Sequence, residues 1–359
     1  MKIVYTGLQY SNFNPKAGES FEYVNFYKSL CNFPGAEVIL YAFENMIQKG
    51  REVASAELLN LVRREKPDLL FAFMFTDELL PAILDELKKI STTIAWFSDD
   101  HWRFDNYSSR YAPHFSWVAT TYSKAVERYK KIGMNNVVRS QWAANTTIYK
   151  PFPWSGADNP AFTEVSAGRL PDVSFVGTWS KPRAKIIAAL QSAGIKVAAY
   201  GGGWPNGRIG EQKMLEIFGN SKINLALNPA PGFFNKNSLG RLVARRSMEK
   251  IVPDFHLWDN FRAWFNRGIP QIKARHFEIP ACGGLVFTGP ADDLENYYIP
   301  DKEIVIYKNI GDLIEKVKYY LSHESERAAI ARAGYERTLR EHTYEHRFRE
   351  IFKTIGLTQ

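Results

Sequence analysis

The sequence predicts an α/β protein made of two doubly wound halves. Short apolar runs alternate with longer amphipathic ones from residue 2 to residue 141, the pattern of a parallel sheet with crossover helices. The same alternation restarts at Asp172, after a stretch rich in Pro, Gly and Asn. The 359 residues, 45% of them hydrophobic, exceed one ordinary domain and supply apolar surface for two cores.

In chain order, the first half shows strands at 2–6, 37–42, 68–75, 92–98, 116–121 and 136–141. Between them, segments 21–30, 54–65, 77–90 and 123–132 carry apolar residues at helical spacing. Ser123 is placed to cap the last of these, and Gly133 to end it. Residues 151–171 read as a linker. The second half then shows strands at 172–177, 196–200, 222–227, 285–288 and 303–307, with helices at 183–193 and 211–218. From 310 to 355 the pattern is helical, with Gly334 expected to divide it.

Composition narrows the classes of function. Cys31 and Cys282 are the only cysteines and lack metal-ligand spacing, which excludes a disulfide scaffold and a zinc ribbon. The start Met1-Lys2-Ile3-Val4-Tyr5 reads as a strand rather than a signal peptide, and no apolar run approaches a membrane span. A cytoplasmic protein is expected. The net charge of +8 favours an anionic partner. Between 236 and 275 stand nine Lys or Arg against three acids, interleaved with Phe255, Trp258, Phe261, Trp264 and Phe265. This segment suits a peripheral contact with anionic lipid or a polymeric acceptor, and equally a domain cap with buried aromatics. Nucleic acid is not expected, because no nucleic-acid fold motif accompanies the patch.

Ligands of open α/β sheets bind beyond the carboxyl ends of strands, so the residues just after each expected strand are the candidates. They are Gly7, then Ser98-Asp99-Asp100-His101-Trp102-Arg103, then Gly177-Thr178-Trp179-Ser180-Lys181-Pro182-Arg183, then Gly201-Gly202-Gly203-Trp204. The densest segment is 271–284. A helix starting near Ile272, with Lys273 and Arg275 beside it, would favour an anion, and Glu278 could take a ribose hydroxyl pair or an ion pair. His342, Glu345 and His346 fall at helical spacing, but their order is not that of a zinc helix, and they read as packing. His276 reads as a structural histidine.

Trp96 to Phe104, Gln141-Trp142-Ala143-Ala144-Asn145, Phe175-Val176-Gly177-Thr178, Ser221-Lys222-Ile223-Asn224-Leu225 and 271–284 carry a resemblance. On these segments the chain resembles the CgeB-like glycosyltransferases, a GT-B branch with some likeness to retaining glycosyltransferase family four. The resemblance implies a GT-B fold with two Rossmann-like domains facing a cleft. It implies an acceptor domain at 1–150, a donor domain at 172–335, and a final stretch, 336–359, that returns to the first domain.

The co-substrate implied is a nucleotide-diphosphate sugar, with a hexose expected, and the acceptor a glycan, lipid-linked or protein hydroxyl. Gly7, Gly177, Thr178, Arg183, Trp204, Asn224, Lys273, Arg275, Glu278, Gly283 and Gly284 are implied on the donor side. No cofactor and no obligatory metal are expected, since Arg183, Lys273 and Arg275 would meet the leaving diphosphate. Trp204 would stack on the base. On the acceptor side Asp99, Asp100 and His101 are the candidates for a general base, with metal binding or a structural role as alternatives. The first of the two family-four glutamates is replaced by Pro270, which leaves the sugar contact and the stereochemical outcome open. A non-catalytic spore or cell-surface assembly protein on the same fold is the competing expectation, and a sugar-nucleotide hydrolase or epimerase a third.

Overall fold

The computed structural model describes residues 1–151 and 171–357. They form two compact units: Met1–Gln141 with Phe233–Arg267 and Tyr344–Gln359, and Trp142–Gly232 with Gly268–Thr343. All but the end residues of the expected linker at 151–171 lie outside the described residues.

The first unit is built on six parallel strands: β1 (Lys2–Gly7), β2 (Glu37–Ala42), β3 (Leu69–Phe73), β4 (Thr92–Phe97), β5 (Trp117–Thr120) and β6 (Val137–Arg139), in the order β2-β1-β3-β4-β5-β6. Every residue of β3 is buried, as a parallel sheet covered on both faces requires. The helices Arg51–Glu65, Pro81–Ile90 and Ala125–Lys131 follow the expected periodicity. Pro81 opens its helix, and Lys88 and Lys89 lie in the last turn, where cations suit the dipole. Ser123 does not cap: the helix begins at Ala125, after Lys124, while Gly133, at φ +83°, does end the turn. Segment 21–30 is a π-helical turn, Tyr23–Tyr27, leading into Lys28–Cys31. The final helix, Tyr344–Thr354, belongs to this unit, where the Tyr344 and Phe348 rings lie 4.8 and 5.9 Å from that of Phe26.

In the second unit β7 (Val173–Val176), β8 (Val197–Tyr200) and β9 (Ile223–Ala226) come first. The chain then leaves for the first unit, where β10 (Ala244–Ser247) and β11 (Lys250–Pro253) form an antiparallel hairpin followed by the helix Leu257–Asn266. It returns to supply β12 (Val286–Thr288) and β13 (Val305–Ile306), giving a parallel sheet in the order β13-β12-β9-β7-β8. Strand order reverses between β7 and β9, the place where open α/β sheets leave a crevice. Phe175, Leu225 and Phe287 pack in one core with Ile187, Leu190, Leu313 and Val317.

Two expectations fail in the second half of the chain. Gly334 does not divide the C-terminal helices: it lies inside Glu324–Glu341, where its missing side chain admits the Glu303 carbonyl, and the breaks fall at His323 and at His342-Thr343. The division of the chain also differs from simple sequence order, because Phe233–Arg267 clusters with the first unit. Its contacts explain this. Arg245 Nη1 and Ser247 Oγ donate to Asp77 Oδ2 at 2.8 and 2.9 Å, Asn106 Nδ2 donates to Asn260 Oδ1 at 3.0 Å, and Arg110 pairs with Asp259 at 3.0 Å.

Candidate active site

At the carboxyl end of the second sheet, the loops after β7 and β8 are joined backbone to backbone. Gly177 N donates to Tyr200 O at 2.9 Å and Trp179 N to Gly202 O at 2.8 Å. This pairing, rather than a ligand, accounts for the glycines. Gly201, at φ +126°, has no room for a Cβ beside the Gly177 carbonyl, and a Cβ on Gly203 would lie 2.7 Å from that of Trp179. Gly177 likewise faces the Phe175 ring, with 2.8 Å left for a Cβ. Trp204 turns inward, donating from Nε1 to Gly177 O at 2.9 Å and meeting Phe175 edge-on at 5.8 Å. The expected base platform is thus committed to the core, and the exposed indole of these loops is Trp179.

Arg183 occupies the crevice where strand order reverses. Ser180 Oγ caps the helix Lys181–Ser192 by accepting from Arg183 N. The guanidinium then spans both loops, Nη1 donating to Thr178 O at 2.7 Å after β7 and Nε to Leu227 O at 3.3 Å after β9. Burial holds its pKa below the ordinary arginine value, and no carboxylate pairs with it among the described residues.

The 271–284 segment is more enclosed than expected. Its helix runs only from Arg275 to Ala281, so Lys273 precedes it. Arg275 Nη1 donates to Glu278 Oε2, and the Tyr149 hydroxyl adjoins both. The ion-pair alternative for Glu278 is therefore realised, with its side chain 1% exposed and Oε1 without a hydrogen-bond partner among the described residues. His276 is structural: Nδ1 accepts from Lys273 N at 3.1 Å, Nε2 meets Thr288 Oγ1 at 2.8 Å, and burial pushes its pKa down to about 4. Asn224, buried, accepts from Ser174 Oγ at 2.8 Å and donates to Phe218 O at 3.0 Å. Gly284 packs on that same Asn224, with 2.7 Å left for a Cβ, and Gly283 ends the helix at φ +80°. These three residues frame the site and present no open polar face to a ligand. His342 Nε2 meets Tyr297 O at 2.7 Å, and Glu345 pairs with Arg349.

In the first unit the environments of Asp99, Asp100 and His101 differ. Asp100 is fully buried and accepts at Oδ2 from Thr120 Oγ1 at 2.6 Å and Tyr129 Oη at 2.9 Å, tying the helix Asp100–Arg103 to β5. Burial raises its carboxyl to about 6. A group so enclosed serves structure, not proton transfer with substrate. His101 is 5% exposed and meets Tyr122 edge-on at 6.2 Å. Asp99 alone of the three borders open space. Gly7 ends β1, where the Tyr5 hydroxyl leaves 2.9 Å for a Cβ.

That open space is a cavity of about 250 Å³, lined by Asp99, Trp102 and Arg103 together with residues of Phe233–Arg267, among them Arg241, Trp264 and Arg267. Sequence reasoning did not join these residues into one site and missed Tyr149, while Trp179 stood only as one residue of the candidate loop after β7. The exposed loop position of Trp179 was a readable signal, whereas the cavity joins residues far apart in the chain.

Residues 183–353 match the family described as "Glycosyl transferase-like". No protein of curated function matches the sequence. Among solved structures, Anabaena HepE in complex with UDP aligns over 100% of both chains at 10% identity with a TM-score of 0.61, and the same protein with UDP-glucose aligns at 0.58, 11% identity and 100% of both. Sucrose-phosphate synthase from Thermosynechococcus elongatus covers 99% of this chain and 98% of its own at 10% identity and 0.60. The lipopolysaccharide outer core galactosyltransferase WaaB, in its apo form, covers 99% of each at 12% identity and 0.54. The two parallel-sheet, Rossmann-like units of this chain accordingly have the GT-B fold.

Proposed function

We propose that the protein transfers a sugar, a hexose in the first instance, from a nucleotide-diphosphate donor to an acceptor hydroxyl. The observation that carries this reading is Arg183: a half-buried cation without a carboxylate partner among the described residues, fixed by two loop carbonyls at the reversal of strand order. A diphosphate is the ligand that such a group recognises. The solved relatives with UDP and UDP-glucose support a nucleotide sugar as its source.

In the reaction, the acceptor oxygen bonds the anomeric carbon while that carbon's bond to the diphosphate oxygen breaks. The electron pair leaves with the diphosphate, and the hydroxyl proton passes to a general base, for which Asp99 is the first unit's candidate. Arg183 and Lys273 meet the charge that develops on the leaving group, so no metal is required for it. Glu278 and Arg275 are committed to each other in an enclosed ion pair and hold the 271–284 segment in place. Calorimetry with UDP and UDP-glucose tests the reading: Arg183→Ala should weaken both by about tenfold or more, the worth of one charge-assisted hydrogen bond. Equal binding by the variant, or none by the parent chain, would remove it, and the second result would favour the non-catalytic assembly role.

A membrane location is part of the proposal. No helix among the described residues is long and apolar enough to cross a bilayer. The helix Leu257–Asn266 buries Asn260 and Ala263 and exposes Trp258 and Phe265, each 66%, with Phe255 81% exposed just before it and Phe234, 87% exposed, 5.9 Å from the Trp264 ring. Arg262 lies 5.6 Å from the Trp258 ring. Exposed aromatics among cations suit an anionic headgroup layer at the cytoplasmic face of a membrane.

A further inference from the structure

The cavity of the first unit is lined by five arginines, Arg103, Arg241, Arg245, Arg246 and Arg267, against one carboxylate, Asp99. Four of the five lack a carboxylate within ion-pair distance among the described residues. Arg245 is matched, by Asp77 at 2.8 Å. Arg103 donates to Phe75 O at 2.7 Å and lies 3.8 Å over the Tyr107 ring. Arg246 donates to Met248 O and Asn12 Oδ1 at 2.7 and 2.9 Å. Arg267 reaches only a hydroxyl, Ser238 Oγ at 3.0 Å, and Arg241 only the face of Trp102, at 5.3 Å. Burial lowers the pKa of Arg241 and of Arg267, and a neighbouring guanidinium lowers each further, Asp99 opposing the shift only at Arg241. Like charges gathered in a half-closed space repel, and an oxyanion placed among them removes the repulsion while arginine forks bind it bidentately.

We infer that this cavity binds the acceptor through an oxyanion, a phosphate or a carboxylate attached to a sugar ring, with Arg241 and Arg267 on the charge and Trp102 and Trp264 against the ring. This rests on the transferase reading for the word acceptor, but the cavity's ligand class follows from its own residues. About 250 Å³ suits one monosaccharide unit rather than a chain segment. Asp99 on the same wall puts a proton acceptor beside that unit's hydroxyls.

The experiment is calorimetric titration of the full chain with glucose 6-phosphate, glucuronic acid and glucose, in the presence of UDP, for the parent, Arg241→Gln and Arg267→Gln. A charged sugar should bind at least tenfold more tightly than glucose, and each substitution should erase most of that preference at an unchanged Tm. Arg241→Lys, which keeps the charge and loses the fork, should fall between parent and Gln variant. A preference confined to glucose 6-phosphate assigns phosphate, and one shared with glucuronic acid assigns oxyanions generally. Equal binding of all three sugars, or a preference that survives both substitutions, overturns the inference. UDP titration of the same proteins separates the two readings. Charged-sugar binding through Arg241 in a chain that ignores UDP keeps the cavity and fails the transferase, and UDP binding without charged-sugar binding does the reverse.

Discussion

Replacing Asp100 by Asn separates a structural carboxylate from a catalytic one. Burial lifts the Asp100 carboxyl from its usual 3.8 to about 6. The folded chain therefore holds this proton more tightly than the unfolded chain does. The group's contribution to stability is fully present below about pH 4 and is lost as pH rises through about 6. A proton held roughly a hundredfold more tightly corresponds to about 3 kcal/mol. Asn cannot ionise, yet its amide oxygen can still accept from Thr120 and Tyr129. The stability of Asp100→Asn relative to the parent should thus improve by about 2 kcal/mol between pH 4 and pH 7. Hydrogen exchange at the β4 and β5 amides reads this better than a melting curve, since the two halves of the molecule need not unfold in one step. Comparison at equal pH cancels the intrinsic exchange rates. A difference that stays flat with pH would refute the burial argument. So would loss of sugar transfer in Asp100→Asn with transfer retained in Asp99→Asn.

Other substitutions probe the remaining assignments. Gly284→Ala should destabilise by about 1–3 kcal/mol, because a Cβ meets the Phe218 carbonyl and Asn224 Nδ2; an unchanged Tm would contradict the packing. Trp179→Ala should weaken UDP binding by about 1 kcal/mol or more and leave Tm nearly unchanged, while Trp204→Ala should cost about 3 kcal/mol of stability through its core contacts. Removing the aromatic face with Trp258→Ser, Phe261→Ser and Phe265→Ser should abolish sedimentation with phosphatidylglycerol vesicles without lowering Tm. Retained co-sedimentation would end the membrane proposal.

Strands were the most legible part of the sequence. Parallel strands covered on both faces, such as Leu69–Phe73, are continuous apolar runs with no competing reading. Helix ends were less so, because Ser123 and Gly334 obey local rules that tertiary packing overrode: the Glu303 carbonyl needs the space at Gly334. At the site, Arg183 was readable from its place just after a strand. The glycines at 177, 201 and 203 were readable as necessary but not for the right reason, since two loops touching each other and a loop touching a ligand demand the same residue type. The arginine cavity was legible only as two separate segments, 98–103 and 236–275. It depends on Trp102 and Arg241 meeting across well over a hundred residues, and no spacing rule connects them.

The excursion of Phe233–Arg267 governs how the molecule can be dissected. The first unit is written in three separate stretches, so a fragment stopping near Gln141 would lack the partners of Asp77, Asn106 and Arg110 as well as the terminal helix over Phe26. The second unit is interrupted once, and the interruption is flanked by Gly232 and Gly268. A gene encoding 142–343 with that stretch replaced by a short glycine link would keep every strand of the second sheet, and would offer the nucleotide question to a protein without the arginine cavity.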